Sequence, residues 1–330
     1  MLAKADQVKK KEKTSKRIKD KLLWIIKNPK FLLFLTELDD SLISNENVPL
    51  ISKQNSIIKR MYRSPLFIIG GILIFLVVTI TIFEFWLVSY ENTIPHLPYL
   101  YYSPPSPEHP FGTTYAGIDV LARMIYGARY YMIVISISTL ISVFMGLIIG
   151  SYAAYYGGWL DTIMMRIMDI ILSFPGVVFA IIFVLIWGNT IEYIILAYTI
   201  IEIPHFSRIF RTSILKEKNL FYVKAAKVSG ARNRGILLRH IMPNSIQPAL
   251  ASASLNMSKV LLSLAVLSFL GFGDDRWIQW GTDITNAMYM VLSAPWATFG
   301  PLLMIIISVM AFLLFGDGLR DVFALKPEYI

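Results

Sequence analysis

Few side chains in this sequence stand where they could do chemistry together. His240 alone could act as a general base, a pH sensor or a structural donor near a helix end. With no Ser or Asp at a productive spacing, its surroundings support the structural or interface role. The chain has no cysteine, which removes disulfides, thiol nucleophiles and thiolate metal sites. Its four histidines are scattered without a His-x-x-x-His pair, so no metal centre is expected. No Gly-x-x-x-x-Gly-Lys-[Ser/Thr] loop is present to cradle nucleotide phosphates.

The remaining candidates are charges in or beside apolar runs. Lys259 interrupts a long apolar stretch, and a lone charge at bilayer depth costs at least about 2.5 kcal/mol, so it must meet protein or water. It reads as facing a water-filled path or a neighbouring subunit, or as ending a shorter span before Val260. Glu84 and Glu202 lie near predicted span ends and are expected to snorkel to the interface. Asp169 follows Arg166 at helical i, i+3 spacing, which reads as a boundary ion pair or as a contact to a moving element.

The elements that must position these residues are membrane helices. Apolar residues make up 55% of the 330 residues, and mean hydropathy is +0.58, so the fold class is all-α and polytopic. The net charge of +9 sits in segments flanking the apolar runs, which argues for membrane orientation rather than nucleic-acid binding. Six spans are predicted: Leu66–Tyr90, Tyr130–Tyr155, Ile167–Trp187, Ile191–Ile203 continuing past Pro204, Ile246–Phe272 and Thr298–Phe315. Before them lies a basic tail, with an interfacial helix expected over Ile18–Leu35. The segment from Ile94 to Pro110 has few basic residues and reads as external, while nine basic residues between Arg208 and Arg239 face Glu217 alone and read as cytoplasmic. Both termini then lie inside. Trp277, Trp280, Trp296 and Tyr289 are expected in an outer aromatic belt.

The basic island at 219–244 has its own construction. Phe221, Ala225 and Val228 form an apolar stripe at i, i+4 and i+7, with Lys224 and Lys227 elsewhere on the wheel. Ser229-Gly230 supplies a left-handed stop. Asn233 is expected to cap a second helix, running through Leu237 and Ile241 until Pro243 ends it. The whole reads as helix, tight turn, helix.

Between spans, this hairpin resembles the "EAA" loop of ABC-importer permeases, carried by Ala225, Ala226, Gly230, Leu237, His240, Met242 and Pro243. Lys224 occupies the place of the acid that names the motif. The resemblance narrows to the second-type membrane subunit of oligopeptide/dipeptide/nickel importers. His109-Pro-Phe-Gly-Thr-Thr-Tyr-Ala-Gly-Ile-Asp119 with Tyr126-Gly-Ala-Arg129 is similar to that subunit's external pattern, although Thr114 and Ile118 depart from it. Arg166-Ile-Met-Asp169 with Phe174-Pro175, Leu267–Gly273 and Gly316-Asp-Gly-Leu-Arg-Asp321 also match, so the likeness covers roughly Ser64 to Asp321.

The resemblance implies the type I importer-permease fold and a division into 1–65 (basic tail), 66–129 (first span and external segment), 130–321 (five-span core with coupling loop 205–245) and 322–330 (tail). It implies a second permease, two ATPase subunits and an extracellular binding protein as partners, with membrane lipid and no nucleic acid. ATP and Mg would be bound by those ATPases and no cofactor by this chain, which is therefore not expected to be an enzyme. It places ATPase coupling on Phe221, Tyr222, Lys224, Ala225, Ala226, Gly230, Ala231, His240, Pro243 and Asn244. Asp169, Pro175 and Lys259 would be conformational or pathway residues. Phe111, Gly112, Thr113, Gly117 and Asp119 would dock the binding protein, shape the outer gate or simply make a structural turn. Peptides are the implied cargo, with oligosaccharide or nickel as alternatives. A membrane enzyme would need clustered polar residues at one depth, and a secondary carrier would need paired broken spans; neither pattern appears.

Overall fold

The computed structural model describes residues 60–94 and 101–323. The expected interfacial helix, most of the basic tail and residues 324–330 lie outside them, as do residues 95–100 of the external segment. Among the described residues the fold is helical, apart from one isolated bridge between Thr113 and Asp119.

Helix α1 spans Pro65–Leu87. Ser64 caps it by accepting the Phe67 N–H at 3.4 Å, and Pro65 fits the first turn, where no N–H is needed. Its surface is apolar all round, with Phe75 and Trp86 exposed, as suits a helix solvated by lipid. Helix α2, Val120–Tyr156, begins ten residues before the predicted Tyr130, because Asp119 caps it by accepting the Ala122 N–H at 3.2 Å. At about 55 Å it exceeds the bilayer's apolar core, so one end must project.

The predicted third span is not one rod. Helices α3 (Gly158–Leu172) and α4 (Gly176–Trp187) meet at 84° across Ser173-Phe174-Pro175. Pro175 disfavours helical backbone at Phe174 and cannot donate into the preceding turn, so the helix must stop there. By contrast, α5 (Ile191–Glu217) passes through Pro204 unbroken, as expected. After the hairpin, α7 (Gln247–Phe269), the short α8 (Trp280–Ala287) and α9 (Pro295–Phe323) complete the chain, α6 being the hairpin's first helix, Phe221–Val228. By length and composition α1, α2, α7 and α9 can cross a membrane, and α3 with α4 makes five if the bent pair counts as one span. The sixth predicted crossing is α5, long enough at 27 residues but carrying Glu192, Glu202, His205, Arg208 and Arg211.

Packing centres on α2 against α5, where Phe206 and Phe210 are fully buried and the Ser142 hydroxyl donates to the Thr199 carbonyl at 2.9 Å. Helix α1 is held to α9 by a reciprocal close approach. A Cβ at Gly70 would fall on the Phe315 backbone nitrogen, and one at Gly318 on that of Phe67. Phe67 and Phe315 stack beside the crossing, with ring centroids 4.9 Å apart. Trp280, expected in an outer belt, is fully buried instead: it stacks on Tyr131 at 4.5 Å, and its Nε1–H donates to Met124 O at 2.9 Å. A partner for the indole N–H makes that burial affordable. Trp277 is half-buried, Trp296 donates to Thr113 O at 3.1 Å, and only Tyr289 of the four stands fully exposed.

Candidate functional site

The hairpin stands on the ends of α2 and α5. Its own-chain core is Val223, Ile236, Leu237 and Ile241 packed on Tyr155 and Ile214, with Ala226 at the margin. The predicted stripe therefore faces the other way. Phe221 and Val228 are 85% and 91% exposed and Ala225 is exposed, while Val223 is fully buried. An eight-residue helix with apolar residues on two sides can dock only one on its own chain, and Tyr155 with Ile214 takes the Val223 side. Lys224 lies over the Phe221 ring at 5.4 Å on the free side.

The turn behaves as read from sequence. Gly230 has φ +80° with open space around its absent Cβ, and the Ala231 N–H closes the turn on Ala226 O at 3.1 Å. The second limb differs. Arg232, not Asn233, occupies the cap position, and the Asn233 side chain accepts the Tyr155 hydroxyl at 2.9 Å. The limb runs through a widened turn, Leu237–Ile241, and Pro243 lies within a last turn, Met242–Asn244, rather than ending the helix at Ile241. Proline is admissible there because the first turn of a helical segment needs no N–H from it. His240 is exposed, with no hydrogen bond or ion pair at its side chain among the described residues, which leaves it free for an interface.

Polar bonds fasten this unit to the long helices. Lys218 Nζ donates to Tyr155 O at 2.7 Å and Ala154 O at 3.3 Å, closing carbonyls at the C-terminus of α2. Tyr222 donates its hydroxyl to Glu217 at 2.5 Å and receives the Asn244 amide at 3.4 Å. Burial and then the Glu217 carboxylate raise the phenol's pKa, so it stays a donor. Helix α3 is tied to α5 by a bidentate Arg211–Asp161 pair, both bonds 2.7 Å, and by Arg208–Asp169 at 2.5 Å. Asp169 thus pairs across helices rather than with Arg166, because the reversal at Gly157-Gly158 lays α3 along α5. Pro175 sits at the elbow after this strut.

The intramembrane charges also depart from expectation. Glu84 does not snorkel: it is 1% exposed and pairs with Arg129 at 2.5 Å. Lys259 lies midway along the unbroken α7 and is exposed, so it does not end a shorter span. Glu202, on α5, is half-buried beside Lys259 and Asn256.

Residues 101–119, expected outside the membrane, form a fastened corner. Gly112 and Gly117 have φ +67° and +70°. Buried Thr113 bonds Ser103 at 2.8 Å and receives the Trp296 indole, while Phe111 stays at the surface. Asp119 faces His109 at 3.5 Å. Burial raises its pKa against the opposing pull of the Ala122 N–H and His109. Nearby, Arg123 pairs with buried Asp283. Tyr155, Asp161, Arg208, Arg211 and Lys218 were not singled out from sequence. Their partners are 39 to 78 residues away in the chain, and no local spacing exposes such pairs.

Comparison with known proteins adds an independent line. A family model described as "Binding-protein-dependent transport system inner membrane component" matches residues 146–328. The chain is 34% identical over 281 residues to the dipeptide transport system permease protein of Alkalihalophilus pseudofirmus, covering 84% of this chain and 91% of that one. It is 33% identical over 275 residues to the glutathione transport system permease protein of Pectobacterium atrosepticum, covering 82% and 89%. Among solved structures it is similar to the MetNI methionine ABC transporter in inward-facing form, with 18% identity, TM-score 0.45, and coverage of 58% of this chain and 94% of that one.

Proposed function

The chain belongs to the binding-protein-dependent transport system inner membrane components, and from that premise we propose that it is the membrane subunit of an ATP-driven peptide importer, coupled to cytoplasmic ATPases through its 219–244 hairpin. The observation that carries the reading is the free apolar face of α6: Phe221, Ala225 and Val228 lie outward on a hairpin whose other side is bolted to α2 and α5. Burying Phe221 and Val228 against a partner is worth about 1.5–3 kcal/mol apiece. The small Ala225 between them lets that partner come close.

Two ATPase subunits bind ATP and Mg and close on hydrolysis cycles, and this chain supplies no catalytic group. Closure pulls the hairpin. Because Tyr155, Lys218 and Asn233 fasten it, the force passes to α2 and α5 as rigid bodies, and through Arg208 and Arg211 to α3. A second, related permease forms the other half of the route, and an extracellular binding protein delivers peptide to the outer face, where residues 101–119 and α8 are fastened together. Both termini lie in the cytoplasm, flanking a core of residues 130–321. Peptide is the cargo because the similar permeases are named for dipeptide and glutathione transport.

Co-purification from native membrane tests this. The intact chain is expected to bring down two ATPases, a second permease and a binding protein. Ala225→Glu, which charges the free face, and Gly230→Pro, which cannot adopt φ +80°, are expected to lose the ATPases and keep the permease. An intact chain that brings down no ATPase would falsify the reading.

A further inference from the structure

Lys259 at the midpoint of α7 is exposed, and its face continues toward the hairpin end of that helix through half-buried Leu255 and Ser252 to exposed Pro248. Ser252 and Pro248 lie seven and eleven residues before it, within a narrow arc of the helix. On α5, Glu202, His205, Ile209, Ser213 and Lys216 recur at three- and four-residue steps, likewise on one face. The two faces meet around a recess of about 480 Å³, lined by His205, Thr212, Ser213, Lys216, Pro248 and Ser252. That volume suits a small ligand.

Past Lys259 the exposed groups on this side of α7 are the apolar Leu262 and Val266, with half-buried Ser263 bonded to the Tyr198 hydroxyl, and the large exposed side chains of α1, Phe75 among them, are apolar. A charge at this depth cannot be left to hydrocarbon. The recess itself is lined by Lys216 and by Arg208, which Asp169 engages; Lys259 and Glu202 lie beyond its lining, further along the same two faces, and no ion pair engages Lys259 or Lys216 among the described residues.

We propose that these two stripes form one water-filled seam, from Lys259 and Glu202 at mid-bilayer to Lys216 at the hairpin end, which guides the carboxylate of the cargo along the inner half of its route. The inference rests on the importer reading for its direction and cargo. Lys259 attracts the carboxylate and Glu202 limits how firmly it is held, so that the group can leave toward Lys216.

The absence of cysteine makes the test direct. Ser252→Cys, Ser213→Cys and Phe75→Cys are placed singly in the full importer in proteoliposomes. Each is treated with an anionic sulfonate and a cationic trimethylammonium thiosulfonate reagent. The two seam cysteines are expected to react and Phe75→Cys to stay silent. Relative to a free thiol, the anionic reagent should be favoured about tenfold, as a cleft of one charge sign concentrates counter-ions. That ratio should fall in Lys259→Gln and rise in Glu202→Gln, a readout that a packing role would not move. Seam cysteines as silent as Phe75→Cys, the result if a partner permease covers this face, overturn the proposal, as does a reagent ratio indifferent to Lys259→Gln. Loss of ATP-driven peptide uptake in the cysteine-free parent would instead strike the importer reading, and the labelling would still be read.

Discussion

At the scale of single residues, sequence identified which charges are anomalous but not what they meet. Glu84 is an end residue, as expected, three residues before the close of α1, yet instead of snorkelling it is sealed against Arg129, 45 residues away in the chain. Removing one member of such a pair strands the other in a site from which water is excluded. Arg129→Met is therefore expected to destabilise the protein by about 3 kcal/mol. Adding Glu84→Gln should return most of that loss, because no buried charge is then left over. Thermal melting in detergent decides it: single and double variants that melt alike would mean that the pair carries no such burden.

At the scale of elements, the hairpin was legible because its signals are local. Glycine after a polar residue, paired alanines and the helical period all act within a turn or two, and α6 and the Gly230 turn form where they were expected. The buried side of α6 was not legible, since Phe221 and Val223 are equally apolar and only the position of Tyr155 chooses between them. Close helix crossings show the same limit: Gly70 is unremarked in sequence and Gly318 figures only within the Gly316–Asp321 match, yet both are decisive in space. Gly318→Val is expected to drive α1 from α9 and cost about 1–3 kcal/mol through overpacking. Gly230→Ala meets no neighbour and should cost only the roughly 1–2 kcal/mol of its left-handed backbone, confined to the hairpin. Global melting temperature separates them; an equal drop in both variants would contradict the α1–α9 account.

At the scale of the whole molecule, the proposed coupling runs from the hairpin through α2 and α5 to α3. Its last link is the pair of carboxylates on α3 that hold Arg208 and Arg211. With Asp161→Asn and Asp169→Asn together, α3 is expected to lag behind α5. ATP hydrolysis by the assembled importer should persist while peptide uptake falls about fivefold or more, the size of a lost coupling free energy. Uptake and hydrolysis falling in step would show that the pairs serve assembly instead.

What the sequence determined by itself was which segments are apolar enough to span, their order along the chain and the place of the helix–turn–helix hairpin. Hydropathy, charge bias and turn chemistry are properties of short stretches, and the bilayer imposes its length scale on them directly. Tertiary structure alone decided that the third span breaks by 84°, that Asp169 belongs to Arg208, that Trp280 is core and that α6 turns Phe221 and Val228 outward. Each of those outcomes depends on which distant residues share a helix crossing or on how a break re-aims a helix. In a bundle whose surfaces are nearly all apolar, one face looks as good as another until a tyrosine, a glycine pair or an ion pair selects it.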